Sequence, residues 1–312
     1  IIAVESDDAA CLAAAIEAGH PVRLPEVGIF ADGTAVAEIG NHTWDILKDL
    51  VHEVIAVTTD EICAATRDIF EDTRTIQEPA GAMALAGLKK YVSVNGNKQK
   101  LDNLVAITCG ANVNFDRLRI IAERSELGEN KEALLAISLP EQRGSFLKLC
   151  ETLGNRHITE FNYRMEDSNT AVVFAGIEIK DSKEKIKTLR ALKIHGFKVF
   201  DLSDDEISKS HIRHMVGGKS NLTDNEKLFK FDFPERPGAL TSFLSKMHPS
   251  WNISLFNYKH NGTDSGKILI GLQVPEDDRR LLEKFLKQLG YEYTNESKNL
   301  AYKLFLNKKS LR

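Results

Sequence analysis

LPEQRG at residues 139–144 recurs as FPERPG at residues 233–238, which lie 94 positions later in the chain. Two more pairs of segments repeat at an offset of 94 or 95 residues: FNYR (161–164) with FNYK (256–259), and Gly196-Phe197 with Gly290-Tyr291. Matches at nearly one offset indicate two copies of one small domain. Paired small domains more often sense a ligand than catalyse a reaction, so the repeat points to regulation.

Each copy is predicted to fold as β-α-β-β-α-β, the ferredoxin-like order of elements. The predicted elements of the first copy are strands 132–140, 157–165, 170–179 and 197–202 with helices 144–153 and 183–193. Those of the second copy are strands 227–233, 252–260, 267–274 and 291 onward with helices 238–247 and 277–289. Helices cover only one face of such a sheet, so we expect the sister copy to cover its other face or an edge.

A polar segment, 204–225, separates the two copies and is predicted to be a linker. Its Gly217-Gly218 pair favours a turn over a phosphate-binding loop, because no strand precedes the glycines. The predicted domains are therefore 1–125, 131–204 and 226–306.

Short apolar segments alternate with helical ones in the first 125 residues, which favours a parallel α/β sheet. The predicted elements are strands 1–5, 53–58 and 104–108 with helices 9–18, 43–51, 59–70, 80–91 and one from 115. Asp7-Asp8 and Thr59-Asp60 are predicted to cap helices, and Pro79 is predicted to open one. Ligands of such sheets bind at the carboxyl ends of strands, which places the Cys109-Gly110 turn where chemistry is expected. Ile1 falls inside a strand, so we expect the sequence to be a fragment of a longer protein.

Composition excludes several classes of protein. The 312 residues carry a net charge of −4, so no basic excess indicates nucleic-acid binding. The chain is 42% hydrophobic, but no apolar run approaches the roughly 18 residues of a membrane span. The four cysteines are scattered and form no CxxC pair, which argues against disulfides and zinc and predicts a cytoplasmic location.

Two sets of motifs resemble known families. The Pro-Glu-x-x-Gly pattern, placed between a strand and a helix, resembles the ACT family of amino-acid-binding regulatory modules. EPAGA at 78–82 and CGANVNF at 109–115 are similar to the later part of the catalytic domain in fold type II pyridoxal-phosphate enzymes. RSELGE at 124–129 lies between these catalytic motifs and the first copy of the repeat. The whole combination resembles the family of biosynthetic threonine deaminases, also called threonine ammonia-lyases or threonine dehydratases. The resemblance covers essentially the whole chain.

The resemblance implies deamination of L-threonine to 2-oxobutanoate and ammonia with pyridoxal 5′-phosphate, the first step toward isoleucine. It assigns Cys109 to face the pyridine nitrogen of the cofactor, although a small residue that fills a turn is the alternative. Glu78 and Gly110 are the other candidate cofactor-binding residues, and Glu78 has the alternative of an ordinary carboxylate at a helix start. Asn112 and Asn114 are predicted to shape the turn.

Two parts that the family requires are not found in the first 130 residues. No glycine-rich turn is available for the cofactor phosphate, and no lysine suits the Schiff base. Lys89 and Lys90 are predicted to be the only candidate lysines in a helix there, and they are expected to form a solvated face. The chain alone is therefore predicted to be inactive. Some relatives bind a divalent ion through Glu, Ala and Asp; here Glu5 and Ala9 match but Cys11 replaces the Asp, so no metal site is predicted.

By the same resemblance, isoleucine inhibits the enzyme, valine opposes the inhibition, and the protein is a homotetramer. Tyr163 and Tyr258, at matching positions of the two copies, are the first candidates to line the effector sites, because tyrosine offers both a ring and a hydroxyl. The candidates that complete apolar pockets are Phe146, Leu240 and Phe243. Two alternatives stay open: a non-catalytic amino-acid-binding module, and a lyase that acts mainly on serine.

Overall fold

A computed structural model describes residues 1–96, 103–166, 168–234, 238–259 and 265–307. The chain divides into two compact units, Ile1–Glu129 and Asn130–Arg312, and each is described by itself. Glu235, Arg236 and Pro237, the middle of the second Pro-Glu-x-x-Gly motif, lie outside the described residues. Within the described ranges, no helix combines the length and the apolar composition that a membrane span requires.

The first unit contains a parallel pair of strands flanked by helices, as the predicted α/β class requires. Its strands are β1 (Ile2–Ser6) and β2 (Glu53–Val57), which pair in register from Ile2 with Glu53 to Ser6 with Val57. Its helices are α1 (Cys11–Ala18), α2 (Asn41–Leu50), α3 (Thr59–Thr73), α4 (Pro79–Asn95) and α5 (Phe115–Gly128). Apolar residues of β2, α3 and α4 form the largest core of this unit.

Two predicted helix caps are wrong. The start of α1 is capped not by Asp7-Asp8 but by Glu5, whose carboxylate accepts hydrogen bonds from the backbone N–H groups of Leu12 (2.8 Å) and Ala13 (2.9 Å). The chain turns back after β1, so the end of the strand lies over the open N–H groups of the helix. For α3, the cap is Thr58, one residue earlier than predicted, in a reciprocal capping box with Glu61.

The predicted strand 104–108 does not form. Residues 103–114 adopt no regular secondary structure, and the side chains of Val105 and Ile107 are 87% and 78% exposed. A strand needs a hydrogen-bonded neighbour, and in the described part of this unit β1 and β2 pair only with each other. The Cys109-Gly110 turn is instead placed by its contacts with the start of α4.

The second unit contains both copies of the repeat in the predicted order. The first copy comprises β3 (Glu132–Pro140), α6 (Ser145–Leu153), β4 (Ile158–Arg164), β5 (Thr170–Glu178), α7 (Ser182–Ile194) and β6 (Lys198–Asp201). The second comprises β7 (Glu226–Pro234), α9 (Ala239–Ser245), β8 (Asn252–Lys259), β9 (Ser265–Gln273), α10 (Arg279–Leu289) and β10 (Tyr293–Asn295). The ACT-like βαββαβ prediction is therefore confirmed.

The two copies share one antiparallel sheet of eight strands in the order β10-β7-β9-β8-β4-β5-β3-β6. Strand β4 pairs with β8, and Asn162 lies opposite Asn257 at the middle of the junction. The Asn257 amide donates a 2.6 Å hydrogen bond to the Asn162 side-chain oxygen. The expectation that the sister copy covers an edge is confirmed, because each copy satisfies the open hydrogen-bonding groups of the other.

The helical face of this sheet carries one continuous apolar core. Phe161 and Phe256 are fully buried and meet edge to face across the junction, with ring centroids 5.2 Å apart. Trp251 is also fully buried and packs against Phe285 of α10. Packing across β4 and β8 therefore joins the two copies in addition to their strand pairing.

The segment predicted to be a linker is part of the repeat. It contains helix α8 (Glu206–Ser210), and its Arg213 is buried against the sheet, where the guanidinium donates to Glu160 (2.8 Å). Ser203 accepts a hydrogen bond from the N–H of Leu134, as Ser297 does from Leu228 in the second copy. Each copy thus ends in a segment that crosses the sheet face opposite the helices, because that face would otherwise be open to water.

Candidate functional site

Glu78, at the start of α4, lies against the Cys109-Gly110 turn. Gly110 has a φ of +82°, and a Cβ at this position would overlap the Glu78 carboxylate. A Cβ on Gly81 would likewise overlap the carbonyl oxygen of Cys109. Both glycines are therefore required for the close approach of the turn to the helix.

The Glu78 side chain points into this turn and does not cap its own helix. Its carboxylate accepts a 2.9 Å hydrogen bond from the N–H of Asn112, and its own N–H donates to the carbonyl of Gly110 at 3.2 Å. The Asn114 side chain caps α5 by accepting from the N–H of Arg117 at 3.1 Å. Glu78 and Gly110 thus lie together, and Asn114 shapes the turn as predicted.

Cys109 presents an exposed side chain on this turn. An exposed thiol beside a backbone without side-chain bulk fits the edge of a flat heterocycle, because it offers a weak donor and a weak acceptor without a fixed charge. The residues of the turn therefore fit the pyridine side of pyridoxal phosphate. This compatibility concerns one side of the cofactor only.

The lysines on the helices of the first unit are engaged elsewhere. Lys89 forms ion pairs with Asp68 and Glu129, and Lys90 pairs with Glu61. Burial lowers the pKa of Lys89, but its two carboxylate partners outweigh that effect and raise the pKa above its usual value. A Schiff-base lysine must lose its proton, so this environment opposes that role.

The sequence interpretation of these lysines needs two corrections. Lys89 and Lys90 are half-buried in ion pairs, so the solvated-face prediction overlooked partners on α3 and at the end of α5. They are also not the only helical lysines of this region, because Lys48 lies on α2, where it pairs with Asp45 at 3.2 Å.

The positions that correspond to the metal site of some relatives serve the fold here. Both oxygens of Glu5 accept from the start of α1, and Cys11 is buried beside them. Burial, and then the Glu5 carboxylate, raise the pKa of the Cys11 thiol. Among the described residues no group of three or more His, Cys, Asp or Glu side chains could hold a metal ion.

A second candidate site lies at the start of α6 in the first copy. Tyr163 is buried under Phe146, with ring centroids 4.7 Å apart in an edge-to-face arrangement, and its hydroxyl donates to Glu141. The other Glu141 oxygen accepts from the Asn252 amide of the second copy at 3.2 Å. Burial and the Glu141 carboxylate raise the pKa of Tyr163 well above its usual range.

A cavity of about 290 Å³ opens beside this cluster, between the start of α6 and the start of β8. Its volume is near the lower end of the range for small-molecule pockets. Residues from both copies line it, among them Arg143, Gly144 and Phe146 from the first and Met247, His248 and Trp251 from the second. Phe146 therefore lines this cavity, whereas Tyr163 lies behind Phe146.

The second copy presents its candidates differently. Phe243 is fully buried among the rings of Phe231, Phe233 and Phe285, which makes it a core residue. Leu240 is half-buried at the edge of the same core. Tyr258 is buried on β8, and burial raises the pKa of its hydroxyl to about 12. None of these three contributes to the described lining of the 290 Å³ cavity.

Several residues of this site were missed from the sequence. Glu141 stands in the repeated motif, and its position before the helix start is a signal that the prediction did not use. Trp251 has no tryptophan at the matching position of the first copy, so it marks a difference between the copies and not a site. His248 and Met247 carry no signal, because only the packing of the second copy on the first makes them neighbours of Phe146.

Family models match both units. The model described as the C-terminal regulatory domain of threonine dehydratase matches residues 123–212 and 217–306. The model of pyridoxal-phosphate-dependent enzymes matches residues 1–110. The two regulatory matches each include the segment that follows the last strand of the copy, in agreement with its place in the repeat.

Curated relatives align with nearly the whole chain. The biosynthetic L-threonine dehydratase IlvA of Burkholderia multivorans is 50% identical over 307 residues, which are 98% of this chain and 60% of that protein. The Escherichia coli protein of the same name is 47% identical over 98% of this chain and 59% of its own length. The mitochondrial threonine dehydratase of Saccharomyces cerevisiae is 44% identical over 98% of this chain and 55% of its own length. The chain thus spans about three fifths of the relatives that it matches.

Proposed function

The chain belongs to the threonine dehydratase family, and on that premise we propose that it is part of an enzyme that deaminates L-threonine to 2-oxobutanoate and ammonia. The observation that carries this proposal is the 50% identity to a biosynthetic threonine dehydratase across 98% of the chain. The first unit would contribute one side of a pyridoxal phosphate site, and the second unit would regulate it.

Cys109, Glu78 and Gly110 are the residues of this chain that we assign to the cofactor. Pyridoxal phosphate, when bound, withdraws electrons from the α-carbon of the substrate so that the proton there and the β-hydroxyl can leave. Cys109 would face the ring nitrogen with a neutral thiol, which does not force that nitrogen to keep a proton. Glu78 would hold the turn in place through Asn112, and Gly110 would keep the approach free of side chains.

We propose that these 312 residues alone do not turn over threonine. The ion pairs of the helical lysines support this: Lys48 and Lys90 pair with Asp45 and Glu61, and the two carboxylate partners of Lys89 raise the pKa of its amine. The test compares the chain with the protein expressed from its complete gene, by visible absorbance of bound pyridoxal phosphate and by 2-oxobutanoate release. Turnover by the isolated chain would overturn the proposal, and absence of turnover and cofactor from the complete protein would overturn the enzyme assignment.

We assign the second unit to feedback regulation by branched-chain amino acids, with isoleucine as inhibitor and valine as its antagonist. The first site would comprise Phe146, Tyr163 and the 290 Å³ cavity; the second would comprise Tyr258, Leu240 and Phe243. The start of α6 offers free N–H groups for a ligand carboxylate, and the cavity wall offers apolar surface. A homotetramer in the cytoplasm is part of the same proposal, and sedimentation of the complete protein tests its assembly.

Calorimetry with isoleucine tests this assignment. Tyr163→Phe should weaken isoleucine binding about tenfold, because it removes the hydrogen bond that holds the Glu141 carboxylate beside the start of α6. Unchanged binding in both Tyr163→Phe and Tyr258→Phe would contradict the assignment. If the chain binds isoleucine but the complete protein never binds pyridoxal phosphate, the result would favour the alternative of a non-catalytic regulatory module. The ion pairs of the helical lysines are also compatible with that alternative.

A further inference from the structure

A loop that the function has not yet accounted for closes the other side of Glu78. Gly33 lies in a 3-10 turn (Asp32–Thr34) next to the start of α4. A Cβ added to Gly33 would lie 3.3 Å from a carboxylate oxygen of Glu78 and 3.0 Å from the Cβ of Ala80. The Gly33 turn and the Gly110 turn therefore both lie close beside the Glu78 carboxylate, on which a side chain at either position would crowd.

Arg117 holds this loop in place. Its guanidinium donates to both carboxylate oxygens of Asp32, at 2.9 Å and 3.1 Å, and to the carbonyl of Phe30 at 3.2 Å. Isolated surface ion pairs contribute little, but a bidentate arginine–carboxylate pair with an additional carbonyl is the geometry in which they do. The Arg117 side chain keeps the pKa of Asp32 below its usual value.

The position of Arg117 in the chain connects the Asp32 loop to the cofactor turn. Arg117 lies in the first turn of α5, directly after the Cys109–Asn114 segment, and its own N–H binds the cap Asn114. The side chain thus links the helix that follows the cofactor turn to the loop beside Glu78. The Arg117–Asp32 pair thus joins two segments that are 85 residues apart in the chain, and both segments lie beside the Glu78 carboxylate.

We propose that Arg117 is a positioning residue for the cofactor turn, which acts through Asp32 and Phe30 to hold the Gly33 turn beside Glu78. Arg117 need not touch the cofactor; it restricts Glu78, and Glu78 restricts the Cys109–Asn112 turn. Sites that bind tightly depend on such support, because a turn that samples several conformations binds its ligand only in one of them. The cofactor part of this inference rests on the proposed function, whereas the restriction of the turn does not.

Hydrogen exchange of the 312-residue chain tests the restriction without any cofactor. Arg117→Ala should accelerate exchange about tenfold at the hydrogen-bonded amides of residues 28–34 (Gly28 and Thr34) and of residues 109–114 (Asn112 and Val113), since it removes the charge-assisted hydrogen bonds that hold the loop. Arg117→Lys should give an intermediate acceleration, because an ammonium cannot bind both carboxylate oxygens in the same fork. The matched control is Arg119→Ala, an exposed arginine on the same helix, which should leave both segments unchanged.

Acceleration confined to residues 28–34, with residues 109–114 exchanging at the wild-type rate, would overturn the proposal. Asp32→Asn serves as a second variant if Arg117→Ala fails to fold, because it removes the same fork from the loop side. Its expected effect on residues 109–114 is the same in direction and smaller in size.

A double-mutant cycle in the protein expressed from its complete gene tests the link to the cofactor. Arg117→Ala and Glu78→Gln should each weaken pyridoxal phosphate binding, and the double variant should be no weaker than Glu78→Gln alone if Arg117 acts through Glu78. Multiplying effects would show that Arg117 acts separately and would overturn the inference. A complete protein that binds no pyridoxal phosphate would refute the proposed function, while the exchange experiment would still decide the positioning role.

Discussion

The two copies of the repeat share one fold but differ where they meet. At the start of α6 a Cβ on Gly144 would contact nothing within 4 Å, and the 290 Å³ cavity opens there. At the start of α9 a Cβ on Gly238 would be in ordinary contact with Asn155, at 3.7 Å. Trp251 lines the 290 Å³ cavity, and its counterpart Arg156 is bound to Leu153 and Glu184. Duplication thus produced two chemically different surroundings for the same helix start.

The largest expected effect concerns Trp251 and Arg156, the pair that differs most. Trp251→Ala should lower the free energy of unfolding by about 3–5 kcal/mol, because it leaves a cavity in the core beside Phe285. Arg156→Ala should cost much less, since its contacts are to a carbonyl and to a half-buried carboxylate. Urea unfolding of the chain measures both. Equal costs would break the comparison.

Alkaline titration separates the two tyrosines by the cause of their shifts. Burial alone raises the pKa of Tyr258 to about 12, whereas burial and Glu141 raise that of Tyr163. A raised pKa in the folded state contributes stability below the unfolded pKa near 10 and loses it as the pH rises toward the folded value. Tyr258 should account for about 2 kcal/mol of the loss between pH 10 and 12, so the decline of stability in this range should be smaller by that amount in Tyr258→Phe. A stability profile unchanged by Tyr258→Phe would contradict the burial of the phenol.

At neutral pH, substitution of Tyr163 should cost more stability than substitution of Tyr258. Tyr163→Phe leaves the Glu141 carboxylate without the phenol and should lower the free energy of unfolding by about 1–2 kcal/mol. Tyr258→Phe should cost about 0.5 kcal/mol or less, in the range of a substitution that removes no charged partner. Parallel urea titrations at pH 7 measure the difference, and a larger cost for Tyr258→Phe would reverse the assignment of the stronger hydrogen bond.

The smallest difference between the copies is expected where they remain alike. Ser203 and Ser297 each accept a hydrogen bond from a strand N–H, that of Leu134 at 3.2 Å and that of Leu228 at 2.9 Å. Ser203→Ala and Ser297→Ala should each cost about 1 kcal/mol. Costs that differ by more than about twofold would show that the two sheet-crossing segments have diverged in energy as well as in sequence.

Local signals predicted the repeat well and failed where a neighbour was needed. The βαββαβ order was readable because each strand and helix is defined by its own alternation of apolar residues. The segment 104–108 has the same apolar signal, yet it forms no strand, because Val105 and Ile107 find no pairing partner among the described residues. The segment 204–225 was predicted to be a linker from its polarity, but two of its charged side chains, Lys209 and Arg213, are buried, and Arg213 meets Glu160 there.

The candidate site was predictable by residue and not by arrangement. Cys109, Gly110 and Glu78 were each recognisable in their motifs, and the structure brings them together. Arg117 and Asp32 were not recognisable, because an arginine and an aspartate 85 residues apart carry no signal that they are partners. A charged residue in a sequence does not show which distant segment it binds.

The duplication, the order of elements and the family could be read from the sequence, because these depend on residues close together in the chain. The pairing of β4 with β8, the binding of both Tyr163 and Asn252 by Glu141, and the cavity beside Phe146 could be seen only in the folded chain. These features depend on residues that are far apart in the sequence. Glu141 and Asn252 are 111 residues apart, and only the closure of the shared sheet brings a carboxylate of one copy to an amide of the other.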